Sequence, residues 1–137
     1  MKIMLDPGAF PPTRAHAQDA GLDPKAKERV KLWPMMSVCI DTGVHIELPH
    51  GYYGKIESKS GLNVNYNIVS CGGVIDEGYT GSIVVKLYNF GSNSYVFEPG
   101  DKVAQLVIQH YIAPELEIVD ALSETDRGSD GFGSTGR

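Results

Sequence analysis

A chain of 137 residues, 42% of them apolar, is the size of one compact domain, and nothing in it suggests a second core. The formal net charge of −5 argues against holding long nucleic acid, which needs a basic face to neutralise phosphates. A small anionic ligand met by local donors stays open, no apolar run is long enough for a membrane span, and Asp6, Pro7 and Gly8 interrupt any apolar leader after Met1–Leu5. A cytoplasmic location is expected.

Sixteen glycines and eight prolines cut the sequence into short pieces, and no window sustains a 3.6-residue apolar period of helical length. In chain order the pieces predict strands at Lys2–Leu5, Ser37–Ile40, Val44–Leu48, Tyr53–Glu57, Ser82–Asn89, Tyr95–Phe97 and Val103–Tyr111. They are rich in Val, Ile and Tyr and separated by Asp-Thr-Gly, Pro-His-Gly, Phe-Gly-Ser-Asn and Glu-Pro-Gly-Asp turns. Many short strands at short spacing make an all-β sandwich or barrel. Apolar residues fill most positions of Ile83–Asn89 and Val103–Gln109, which predicts burial on both faces and hence a subunit interface. Gly61–Tyr66 is expected to hold a single helical turn. Lys25–Lys31 follows Pro24 and is too short to stand as a helix.

Cys39 lies in an apolar run and Cys71 in a glycine-flanked turn, without Cys-x-x-Cys spacing or paired histidines, so both are read as structural thiols. The four histidines are scattered, none beside a serine or cysteine nucleophile. From Ser123 onward Asp, Glu, Ser, Thr and Gly dominate and Phe132 is the one aromatic residue, a composition that does not fold alone. The division is therefore a domain over 1–122 and a flexible tail over 123–137. Gly131-Phe-Gly133-Ser-Thr-Gly136 matches G-x-G-x-x-G by letter, yet a dinucleotide fingerprint must open a helix, and here the sequence ends one residue later. What the tail offers is a set of phosphate-binding parts: glycine backbone, the hydroxyls of Ser134 and Thr135, the cation of Arg127, and Phe132 as a stacking face.

This tail, Arg127-Gly-Ser-Asp-Gly-Phe-Gly-Ser-Thr-Gly136, resembles the fifth motif of the trimeric dUTPase family. Ala20-Gly-Leu-Asp23 resembles the first motif, Ser58-Lys-Ser-Gly-Leu62 the second, Gly73-Val-Ile-Asp-Glu-Gly-Tyr-Thr-Gly81 the third and Gly100-Asp-Lys-Val-Ala-Gln-Leu106 the fourth. All five stand in the family's order and span nearly the whole chain.

The resemblance implies a distorted jelly-roll-like barrel of the β-clip type, assembled as a homotrimer with shared active sites and closed by a flexible C-terminal lid. It implies hydrolysis of dUTP to dUMP and pyrophosphate, with Asp76 orienting and deprotonating the attacking water and Gln105 holding phosphate or that water. Uracil is expected at main-chain groups of the hairpin around Ser70, Gly73, Val74 and Ile75, and the deoxyribose over Tyr79. Lys59, Ser60, Gly61 and the tail residues Arg127, Phe132, Gly133, Ser134 and Thr135 are expected to bind the rest of the nucleotide. The family's Mg2+ is held by phosphates and waters, so Asp23 is expected to reach it only through water. The second motif departs from the pattern, with Lys59 where arginine is usual and Ser58 where proline is usual; a lysine offers a point charge in place of a two-pronged fork. Pro24 and the following charged residues alter the first motif, so its strand is expected to be displaced or looped. A dCTP deaminase, the rival within the fold, carries a glutamate on the strand after the third motif, where this chain has Val84-Val-Lys-Leu87. A nucleotide sensor that binds a regulatory protein partner is the alternative from another class.

Overall fold

A computed structural model of the chain describes residues 1–131. The described residues form strands β1 (Lys2–Leu5), β2 (Gly21–Leu22), β3 (Val30–Leu32), β4 (Ser37–Asp41), β5 (Val44–Glu47) and β6 (Tyr52–Glu57), then helix α1 (Ser60–Tyr66). There follow β7 (Ile68–Ser70), β8 (Val74–Ile75), β9 (Val84–Asn89), β10 (Tyr95–Phe97) and β11 (Gln105–His110). All pairing is antiparallel, in four small sheets with the orders β1-β5, β3-β10, β2-β11-β6-β8 and β4-β9-β7. The inward side chains of these sheets meet in one core around Phe97, Leu32, Ile40, Ile68, Leu87 and Leu106, all at most 2% exposed.

Each of the seven predicted strands is present, with ends shifted by up to two residues. The four that sequence patterning does not reveal, β2, β3, β7 and β8, are two or three residues long and exist because a distant partner pairs with them. Lys25–Lys31 is indeed not helical: Lys25 bridges to Lys102, and Val30 opens β3. The first motif keeps its strand, because Gly21 and Leu22 pair with Val107 and Leu106 before Pro24 can disturb the ladder. Helix α1 runs for seven residues, longer than the single turn expected, and ends at Asn67 in the left-handed conformation, φ 55°.

Three expectations are corrected. Strand β9 is buried on one face only: Val85, Leu87 and Asn89 point inward while Val84 and Lys86 are exposed. Strand β11 likewise turns exposed toward Gln109 and His110. Cys39 and Cys71 are both exposed thiols, since Cys39 falls on the outward phase of β4, between the part-buried Val38 and the buried Ile40.

Regular structure ends at His110, and beyond it Ile112, Leu116, Ile118 and Leu122 are between 83% and 100% exposed. A stretch this apolar finds little cover among the described residues.

The hairpin expected around Ser70–Ile75 is instead a long-range pair, because β7 pairs with β9 and β8 with β6, across α1 and β7, and one close approach holds the β6–β8 pair. Gly73 has φ 124°, and a Cβ there would lie 2.4 Å from the Ile56 Cβ, while the Ile56 N–H donates to the Gly73 carbonyl at 2.8 Å. Gly73→Ala therefore adds both backbone strain and overlap with a core residue, and is expected to cost about 1–3 kcal/mol or more in urea unfolding. An unchanged unfolding midpoint would show that the pair relaxes freely.

Candidate active site

The first cavity lies where β8 pairs with β6, Val74 opposite Lys55 and Ile75 opposite Gly54. Ile75 is buried and Val74 is 64% exposed, so the pleat directs one side chain into the core and its neighbour out to solvent. Asp76 follows at the strand's end, where the turn closes by the Tyr79 N–H donating to the Asp76 carbonyl at 3.0 Å. Asp76, Val74, Glu77, Gly78, Tyr53 and Tyr111 line a cavity of about 480 Å³. Tyr79 leaves the turn exposed, donates its hydroxyl to the Ser82 carbonyl at 3.0 Å and lies across Gly81, where a Cβ would meet its ring. Glu77 is gripped by the Gly51 N–H at 2.9 Å, the Tyr111 hydroxyl at 2.7 Å and His50 Nδ1 at 2.8 Å. These hydrogen bonds, the backbone donor foremost, hold its carboxyl pKa down to about 2.

The second cavity, about 330 Å³, is lined by Ala15, Asp19, Gly21, Asp23, Lys59 and Gln105 among others. Asp23 is only 6% exposed, and its two oxygens accept from Lys59 Nζ at 2.9 Å and Lys102 Nζ at 2.8 Å. A carboxylate buried this deeply needs such partners, because desolvation alone costs several kcal/mol. Gln105 opens β11 half-buried, less enclosed than a core glutamine, and its side chain lies over Gly21, which has none of its own. A Cβ at Gly21 would lie 2.6 Å from Gln105 Oε1. Ser60 and Gly61 begin α1 in the open next to Lys59, with nothing within 4 Å of a Cβ built at Gly61. Ser70 ends β7 and ties back to the second motif, its N–H donating to Ser58 Oγ at 2.9 Å.

The fold thus brings Asp23, Lys59 and Gln105 into one cavity and Val74 and Asp76 into another, with no lining residue in common. On β6, Gln105 is opposite Glu57 and Ile75 opposite Gly54. Those anchor points differ by about 10 Å along the strand and by two interstrand steps of about 4.8 Å across it. Arg127 joins neither cavity: it is exposed, and its Nε donates to the Asp130 carbonyl at 3.1 Å. Phe132, Gly133, Ser134 and Thr135 lie outside the described residues. No group of three or more His, Cys, Asp or Glu side chains poised for a metal occurs among the described residues.

The family model for dUTPase matches residues 9–136, from ahead of the first cavity-lining residues to the penultimate position. This chain belongs to the dUTPase family. It is 41% identical over 133 residues to the human mitochondrial deoxyuridine 5'-triphosphate nucleotidohydrolase, covering 97% of this chain and 53% of that protein. To the Clostridium novyi deoxyuridine 5'-triphosphate nucleotidohydrolase it is 42% identical over 141 residues, with 99% of each chain covered. The chain therefore spans about half the length of the human relative and nearly all of the clostridial one. Among solved structures, the Staphylococcus bacteriophage 80alpha dUTPase with dUPNHPP superposes with a TM-score of 0.92 at 32% identity, over 99% of this chain and 98% of that one. A variant of the dUTPase from phage phi11 of S. aureus, described with a structural Mg(II) ion, gives a TM-score of 0.82 at 29% identity, over 90% and 98%.

Sequence motifs of the dUTPase family do not single out Glu77, Tyr53 or Tyr111 as cavity residues, or Lys102 as a partner of Asp23. Lys102 stands inside the fourth motif and Glu77 inside the third, so adjacency was a signal for those two. Tyr53 and Tyr111 arrive only through the pairing of β6 with β11 and carry no local signature.

Glu77 makes stability depend on acid. Its folded pKa of about 2 lies below the unfolded value of 4.5, so its contribution is complete above pH 4.5 and lost as the pH falls through about 2. The unsubstituted chain is expected to lose more stability than Glu77→Gln between those limits, read from urea midpoints across the pH range. Parallel curves would sink the assignment.

Proposed function

We propose that this chain hydrolyses dUTP to dUMP and pyrophosphate as a cytoplasmic homotrimer, with each active site built from the two cavities of neighbouring copies and covered by a C-terminal lid. The observation that carries this reading is the span of the family match, residues 9–136, which includes both cavities and the tail. The relatives' name, deoxyuridine 5'-triphosphate nucleotidohydrolase, and the dUPNHPP in the phage structure support the same substrate. No described helix is long and apolar enough to cross a membrane.

The separation of the cavities supports a shared site, since a nucleotide seated at β8 of one copy needs cations and Gln105 from elsewhere. The exposed apolar residues after Tyr111 and the outward Val84 of β9 support an assembly that covers them. The domain over 1–122 supplies the cavities and the tail over 123–137 the lid, in which Arg127, Ser134 and Thr135 engage phosphates and Phe132 stacks on uracil.

In the mechanism, main-chain groups near Ser70, Gly73 and Val74 read the base, and the rigid approach of Gly73 to Ile56 limits room for a larger one. A simple apolar pocket separates bases differing by a methyl group by only about 1–3 kcal/mol, so stiffness of this segment matters. Asp76 orients a water and takes its proton as the oxygen attacks the α-phosphorus, and pyrophosphate leaves; Gln105 holds that water or a phosphate oxygen by its amide. Ser60 and the Gly61 N–H donate to the phosphates, and Lys59 supplies positive charge. The donor set suits magnesium that keeps its waters: one carboxylate, Asp23, whose oxygens each accept one lysine and retain lone pairs for water. Bound through the phosphates, the ion would offset their negative charge.

The second reading, a nucleotide-responsive regulatory protein, is favoured by the phage neighbour, described as one of the dUTPases that control transfer of virulence genes by a G protein-like mechanism. Deamination of dCTP finds no support in β9, whose Val84–Asn89 carries no carboxylate.

Pyrophosphate release is expected from dUTP, far exceeding that from dTTP, dCTP or UTP, and dependent on magnesium. Binding of dUTP without turnover would leave the regulatory reading. Asp76→Asn is expected to retain nucleotide binding and lose about 10²- to 10⁴-fold in kcat. Deleting residues 123–137 is expected to leave a folded trimer of low activity, checked by solution mass and turnover together; an aggregated product would make the tail structural.

A further inference from the structure

Asp76 sits in a turn that the sheet itself holds weakly. Strand β8 is two residues long and lies at the edge of its sheet, with β6 as its one partner. Immediately after Asp76, Glu77 turns back toward the body of the molecule and bonds to two segments remote in sequence. Gly51 and His50 belong to the turn between β5 and β6, and Tyr111 follows the last residue of β11. That anchor is itself fixed, because the Tyr111 N–H donates to the Gly51 carbonyl at 3.0 Å and the Tyr111 ring packs edge-on against Tyr53, with centroids 6.4 Å apart. With Oε1 facing His50 and Oε2 accepting from Gly51 and Tyr111, Glu77 is ill placed to act as a base, although it lines the same cavity as Asp76.

We propose that Glu77 is a positioning residue for Asp76: its carboxylate pins the turn to Gly51 and Tyr111, and so fixes the Asp76 carboxylate relative to the bound nucleotide. The inference rests on the reading of Asp76 as the group that orients the water. One peptide bond links the two residues, so a shift at Glu77 is passed to Asp76 without slack. Misplacement of a catalytic group by about 1 Å costs up to about 10²-fold in rate. The bonds also reach Tyr111, the point at which the chain leaves the fold toward the lid, so one carboxylate holds both the catalytic turn and the root of the tail.

A double-mutant cycle in dUTP turnover by the full-length chain tests this. Glu77→Ala is expected to lower kcat by about 10- to 100-fold with little change in KM. Glu77→Gln, which keeps an acceptor for Gly51 and Tyr111, is expected to restore most of that rate, and Tyr111→Phe to cost less than Glu77→Ala. In the Asp76→Asn background Glu77→Ala is expected to add nothing, because there is no longer a base to misplace. The Gln and Phe variants keep the test open should the alanine variant fail to fold. Equal losses in both backgrounds, or no loss in Tyr111→Phe and Glu77→Ala alike, would overturn the proposal while leaving Asp76 in place. Near-normal turnover by Asp76→Asn would instead remove the reading of Asp76, and this inference with it.

Discussion

Strand β6 is the member on which the site depends. Along one edge it pairs with β11, which begins at Gln105, and along the other with β8, which ends before Asp76. Its inward residue Ile56 presses on Gly73 so closely that only glycine fits. Shift β6 by one residue and the pleat would exchange its core and solvent faces, moving both cavities at once. The backbone geometry of one strand thereby sets where Gln105 and the Asp76 carboxylate stand.

Electrostatics operate within this frame locally rather than globally. The chain is acidic overall, with a formal charge of −5, and the proposed substrate is a polyanion. Lys59 and Lys102 converge on the buried Asp23, and Lys59 and Asp23 line a cavity of a few hundred cubic ångströms. Lys102 allows Lys59 to turn toward a ligand without stranding the carboxylate, because Asp23 keeps a partner. Around the other cavity the arrangement is inverted: Glu77 is saturated with donors, while the Asp76 carboxylate has no such grip among the described residues.

The division of the candidate site into two cavities has an energetic counterpart in what the chain leaves uncovered. Residues beyond His110 bury almost none of their apolar side chains, and β9 keeps Val84 outward. Exposed apolar surface of this kind costs free energy in isolation and is recovered when another copy covers it. The association proposed for this chain would complete the site and cover the apolar surface together.

The sequence by itself determined the all-β class, the seven longer strands and the five ordered motifs. Strand alternation, turn composition and five ordered motifs are local properties, written in neighbouring letters. Only the tertiary structure decided that β2, β3, β7 and β8 are strands, because two or three residues have no pattern of their own and form when a remote edge accepts them. It decided that Asp23 is buried between Lys59 and Lys102, that Glu77 meets Gly51 and Tyr111, and that Gln105 and Asp76 stand in separate cavities. Each of these depends on residues far apart in sequence, and such proximity is fixed by strand register and core packing, which no local pattern records.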